Sequence, residues 1–114
     1  MKLQDVVQQI EIDTKKLTDY ALCPSHPQGK NKAYVFEKVL GYNLSNYSLL
    51  LLEIQDKALS AEVEPKLKDQ HGARYQTNIE ITGANDDQAV VVIAWIVEPI
   101  APQIAKLITL RVSK

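Results

Sequence analysis

With one cysteine, four glycines and one tryptophan in 114 residues, the chain lacks the raw material for several architectures. Cys23 has no second thiol, which excludes an internal disulfide and a Cys-x-x-Cys metal site. His26 and His71 stand far apart without ligand-like spacing, so neither a metal nor a cofactor is expected. Long apolar runs are missing: nothing approaches the roughly 18–20 consecutive apolar residues that a membrane span needs. The start, MKLQDVVQQIEID, has no apolar core of the kind a signal peptide carries. The expectation is a soluble cytoplasmic protein with no membrane partner. A basic excess is missing too, since 13 basic residues meet 14 acidic ones for a net charge of −1, and nucleic-acid binders ordinarily run positive. The charge is unevenly spread, however. Between residues 13 and 38, Lys15, Lys16, Lys30, Lys32 and Lys38 face only Asp13, Asp19 and Glu37, whereas Glu53, Asp56, Glu62 and Glu64 follow later.

What is present is an ordinary globular mixture, 46% hydrophobic and 24% charged, in a chain long enough to bury a core. A single domain over residues 1–114 is expected, without repeats or low-complexity stretches. Val6, Ile10 and Ile12 share one parity within DVVQQIEI and predict a short edge strand. Asp13 can cap a helix from Thr14 to Ala21, which must stop by Cys23 because Pro24 disfavours helical angles before it. After a rigid turn, Asn31 can cap a helix over Lys32–Leu40 that Gly41 terminates. Ser45 can cap another, with Tyr47, Leu50, Leu51, Ile54 and Ala58 on its core face and Leu49 and Leu52 widening it. Residues 60–72 have no clean period and read as a loop that could cover a site.

Beyond this loop the period changes to two. In Arg74–Thr82, Tyr75, Thr77, Ile79 and Ile81 take one face and Arg74, Gln76, Asn78 and Glu80 the other. Gly83–Asp87 is turn chemistry, and Gln88–Val97, apolar on both parities, reads as a central strand. Lys106–Val112 closes the chain as a strand, with Ile108, Leu110 and Val112 on one side and Leu107, Thr109 and Arg111 on the other. Helices first and an antiparallel meander after predict an α+β fold, with N-terminal helices packed on one face of a three- or four-stranded antiparallel sheet. Arg74, Gln76, Asn78, Thr109 and Arg111 would then line the wetter face together.

The stretch Cys23–Gly41 combines reactive side chains with tight backbone control. Pro24, Pro27 and Gly29 make a turn that delivers His26, Lys30 and Lys32 to a helix start, where free N–H groups favour an anion. It is not a Walker A loop, since the first glycine of that pattern is missing.

KLTDYALCPSHPQGKNKAYVFEKVLGYN, followed by GARYQ, ITG, AWIV and LITL, resembles a family of uncharacterised domains at the C-terminal ends of bacterial polymorphic or contact-dependent toxins, which also occur as small free-standing proteins. The likeness runs from Lys16 to Val112, and His-Pro-x-Gly-Lys-x-Lys-Ala-x-x-Phe-Glu is its most specific part. Cys23 departs from the asparagine usual there, and Ala84-Asn85-Asp86 replaces a Pro-Asn-Gly turn. The resemblance implies a toxin module. The order of elements is also similar to the barnase, EndoU, colicin and RelE group of metal-independent ribonucleases. That implies an endoribonuclease acting on RNA, with tRNA a candidate, and held in check by a small cognate antitoxin or immunity protein.

Metal-free RNA cleavage needs a base for the 2′-hydroxyl, an acid for the leaving oxygen and cations for the phosphorane. His26 suits the acid–base role, with Lys30, Arg74 and Thr109 completing a catalytic set. Lys32 and Arg111 would hold phosphate, while Tyr75 or Trp95 would stack a base if exposed. Each has an alternative: His26 a turn residue bonded to backbone, Lys30 and Lys32 a solvated helix start, Arg74 an ion-pair partner, Tyr75 and Trp95 core. His71 is a surface residue or a second acid–base group. A non-catalytic anion- or protein-binding module, or the antitoxin itself, remains open beside the enzyme.

Overall fold

The computed structural model of the chain describes residues 1–113. Its strands are β1 (Gln9–Glu11), β2 (Val63–Asp69), β3 (Gly72–Thr82), β4 (Gln88–Val97) and β5 (Ile104–Val112), joined in one sheet in the order β1-β5-β4-β3-β2. The β1–β5 pair is parallel and the others antiparallel. The helices are α1 (Lys30–Val35), which continues as a π-helical segment over Phe36–Leu40, and α2 (Tyr47–Lys57). A further π-helical segment covers Leu17–Ala21, and a 3-10 turn covers Leu3–Asp5.

The expected α+β architecture is therefore present, with five strands in place of three or four. Period-two alternation builds the inner face. Thr77, Ile79 and Ile81 of β3 lie opposite Ile93, Val91 and Ala89 of β4, and Ile93 and Val91 opposite Leu110 and Val112 of β5. Phe36, Leu40, Leu50 and Ile54 from the helices close over this face with no exposed surface. Each such buried side chain contributes about 1.5–3 kcal/mol. Trp95 sits in the middle at 0% exposure, and its indole N–H donates to the buried Thr77 hydroxyl at 2.9 Å, so the one polar atom of the ring is satisfied.

Several local expectations need correction. Residues 63–69 form an edge strand, not a loop; Glu64 to Asp69 are all exposed, Pro65 interrupts the alternation, and the register shifts between Pro65 and Lys68. An edge strand wet on both faces leaves no period-two apolar signal. Where β4 pairs with β5 the register shifts between Ala94 and Trp95, which skips Ile108, pairs Trp95 with Leu107 and turns Leu107 inward with Leu110. Gly29, not Asn31, stands at the N-cap of α1, and Asn46, not Ser45, at that of α2. Leu49 and Leu52 do not widen the core face of α2, being 48% and 60% exposed. Gly41 ends its helix with φ of 72°, as its lack of a Cβ allows. No helix among the described residues is long and apolar enough to cross a membrane.

Candidate functional site

The turn after Cys23 is held by its own backbone. The Cys23 carbonyl accepts from the His26 amide at 3.3 Å, and the His26 carbonyl accepts from the Lys30 amide at 3.0 Å. Nδ1 of His26 accepts from the amides of Gln28 and Gly29, at 3.0 and 2.9 Å. A nitrogen that accepts carries no hydrogen, so Nε2 holds the proton of the neutral ring. The ring thus keeps its lone pair in the turn and has its donor at Nε2. Gly29 packs against Tyr20 so closely that a Cβ there would collide with the Tyr20 carbonyl. The Cys23 thiol lies below its usual range because the Ser25 hydroxyl, 3.3 Å away, and then the Ser25 amide bond to its sulfur.

Tyr20 links this turn to the sheet. Its ring meets the His26 ring edge-on, with centroids 5.0 Å apart and planes at 89°, and Lys32 Nζ stands 4.8 Å from the same ring centre. Lys32 Nζ then donates to Thr109 Oγ1 at 2.8 Å, joining residues 77 positions apart in sequence. The contact is possible because β1 covers the outer edge of β5 only at Ile104–Lys106. Beyond that point α1 and the Leu17–Ala21 segment lie against β5. Lys32, Asn31, Val35, Arg111 and Val112 line a cavity of about 280 Å³ beside the contact.

The structure gathers the sequence-derived candidates selectively. It joins Lys32, Thr109 and Arg111, and brings His26 near them through Tyr20. Lys30 is not part of this group. Positions two apart on a helix point about 200° apart, and Lys30 lines a separate cavity of about 490 Å³ with Tyr34, Glu37 and Leu44. Arg74 is also elsewhere. It belongs to the cross-strand row Arg74–Ile96–Lys106, whereas Thr109 belongs to the row Gln76–Ala94–Thr109. Its guanidinium is bonded to Asp69 at 2.8 Å. The His71 amide, and then this guanidinium, hold the Asp69 carboxyl below the usual carboxylate range. Trp95 cannot stack a base because it is wholly buried, and Tyr75, opposite it on the inner face, packs against the core. His71 is exposed in the β2–β3 turn, with its amide bonded to Asp69 at 2.9 Å. Tyr20 falls inside the helix expected over Thr14–Ala21, and nothing in its spacing marks its bridging place.

Residues 2–114 match a family described as a domain of unknown function, DUF6883. The chain belongs to this family. In fold, this DUF6883 domain is similar to a chain of the contact-dependent growth inhibition toxin–immunity protein complex from Klebsiella pneumoniae 342. The TM-score is 0.66 and the identity 18%, over 98% of this chain and 97% of that one. At that identity the likeness is one of fold. No curated protein matches the sequence.

Chemically, the DUF6883 site offers two cations and a hydroxyl at one corner of the sheet, with the His26 imidazole against Tyr20 beside them. Among the described residues, Lys32 and Arg111 form no ion pair, while Lys106 is held by Glu98 at 2.7 Å and Glu11 at 3.7 Å. The Glu98 carboxylate, followed by Glu11, raises the Lys106 ammonium above its usual range. No group of three or more His, Cys, Asp or Glu among the described residues is placed to hold a metal ion. Lys32 and Arg111 thus place two cations without a described carboxylate partner beside Thr109.

Proposed function

We propose that this domain is a bacterial toxin-type module that cleaves RNA without a metal and is neutralised by a small cognate antitoxin or immunity protein. The observation that carries the reading is the Lys32–Thr109 contact at 2.8 Å, with Arg111 beside it and neither cation neutralised by a described carboxylate. The fold likeness to a toxin–immunity complex supports the biological setting. In the reaction, the O2′–P bond forms and the P–O5′ bond breaks, leaving a 2′,3′-cyclic phosphate and a 5′-hydroxyl, while one proton passes in net from O2′ to O5′. Lys32 and Arg111 stabilise the charge that builds on the non-bridging oxygens. Thr109 Oγ1 already accepts from Lys32, so its own O–H is free to donate to the phosphate. His26 carries the proton, and for that the Gln28 and Gly29 amides must first leave Nδ1. The turn is thus closed at rest and opens with substrate.

The test uses purified protein and labelled single-stranded RNA in a chelating buffer. Arg111→Ala and Lys32→Ala should each slow cleavage by about 100-fold, the usual cost of removing one electrostatic donor; Arg111→Ala should leave the unfolding midpoint unchanged, and Lys32→Ala should lower it slightly through the lost Thr109 bond. A wild-type protein that leaves RNA intact would reject the enzyme reading. A second reading, a non-catalytic binding module or the immunity partner itself, draws support from the occupied Nδ1, which gives the resting ring no free base. Expressing the chain alone separates the two: growth arrest fits the toxin, whereas protection against a neighbouring gene product fits the partner.

A further inference from the structure

The outer face of the sheet repeats one pattern in successive rows. Asn78–Val92–Arg111 and Gln76–Ala94–Thr109 each set an amide on β3 and a cationic or hydroxyl side chain on β5 on either side of a small apolar residue of β4. Val92 and Ala94 are half-buried, and no helix among the described residues covers them, because the helices pack on the opposite face. Gln76 Nε2 donates to Asn78 Oδ1 at 3.1 Å. Among the described residues this is the one side-chain bond either amide makes, and it leaves the Gln76 carbonyl, its second N–H and both Asn78 N–H groups unspent. The other end of the face differs. There Arg74 is bonded to Asp69 and Lys106 to Glu98, whereas Arg111, in a row with a free amide, forms no ion pair among the described residues.

We propose that Gln76 and Asn78 form a base-reading subsite for single-stranded RNA, whose phosphate rests on Lys32 and Arg111 and whose base lies over Val92 and Ala94. This rests on the RNA reading above. Strands lie about 4.8 Å apart, so Gln76 and Thr109, two strands apart, stand on the order of 10 Å from each other, the reach of a nucleotide from phosphate to base edge. Bases need a flat apolar platform and backbone oxygens need cations, and this face supplies both in adjacent columns. A protein partner would need neither the amide fork nor two unpaired cations at one corner. The fixed Gln76 amide donates and accepts side by side, which matches adenine, where N7 accepts and N6 donates; the N7 and O6 of guanine both accept.

The experiment measures binding of uncleavable 2′-O-methyl homopolymers of the four bases by fluorescence anisotropy, with wild-type protein, Gln76→Ala, Gln76→Glu, Asn78→Ala and Arg111→Ala. The proposal expects oligo-adenine to bind wild type roughly tenfold more tightly than oligo-guanine. Gln76→Ala and Asn78→Ala should level the four bases, and Arg111→Ala should weaken all of them alike. Gln76→Glu keeps the size, loses the donor and should discriminate poorly. Equal binding of all four bases by wild type, weakened by Arg111→Ala, would overturn the subsite and leave the RNA reading standing. Failure to bind any of them would overturn both, and a protein partner that protects Gln76 and Asn78 from solvent exchange would then be the occupant.

Discussion

The Cys23–Gly29 turn and the Thr109–Arg111 end of β5 hold comparably reactive side chains, but they use them in opposite ways. In the turn, the imidazole lone pair is consumed by two amides, the Cys23 sulfur by Ser25, and the glycine by close packing on Tyr20. At the strand end, the Arg111 guanidinium and the Lys32 ammonium of α1 form no ion pair among the described residues, and Lys32 donates there to a neutral hydroxyl. A reactive residue type is therefore a weak pointer to chemistry unless its polar atoms are unspent. Under the proposed RNA reading, the sheet corner is the half that meets the ligand and the turn the half that rearranges.

Gly29→Ala attacks the structural half and should have the largest effect. The added Cβ meets the Tyr20 carbonyl, part of the backbone and unable to swing aside, so the unfolding free energy should fall by about 2–3 kcal/mol in a urea titration. A loss too small to measure would mean that the turn is not packed as described. His26 sharpens the comparison, because an asparagine can place a carbonyl oxygen where Nδ1 stands. His26→Ala should cost about 1–2 kcal/mol, as losing a side-chain acceptor for backbone amides does elsewhere. His26→Asn should restore most of that stability while RNA cleavage still falls by about 100-fold. An asparagine variant that cleaves at the wild-type rate would make His26 purely structural.

How much of this was legible beforehand follows from which interactions leave a periodic trace. β3 and β4 were readable because Ile79, Ile81, Val91 and Ile93 alternate into one core. Gly41 was readable as a helix end because positive φ selects glycine. β2 was not, since a wet edge strand imposes no pattern on Glu64 to Asp69. β1 was expected, yet its parallel pairing with β5 could not be, because register between segments so far apart in sequence is set by the closed core. For the site, the spacing of Thr109 and Arg111 put both on the outer face, and the structure brings Lys32 to them. The expected set also held Lys30, which lies on the wrong side of its helix, and Arg74, spent on Asp69. Which donors remain free depends on contacts across the fold, and a single chain of letters does not carry those.

Asp69 offers the gentlest way to probe the division. Its carboxyl lies below the usual carboxylate range in the folded chain, chiefly through the His71 amide and secondly through Arg74. A group whose folded value is lowered stabilises the fold fully above its unfolded value, about 3.9 for aspartate, and loses that contribution as pH falls through the lowered folded value. An acid titration of the thermal midpoint should therefore decline more steeply below about pH 4 for wild type than for Asp69→Asn. Arg74→Ala should lie between them, because the His71 amide bond survives it. Neither variant should change RNA cleavage or binding at neutral pH, since the Arg74 row lies apart from Thr109 and Arg111. If Arg74→Ala slows cleavage as strongly as Arg111→Ala, the guanidinium is not committed to Asp69 during turnover, and the boundary between the two ends of the outer face would have to be redrawn to include it.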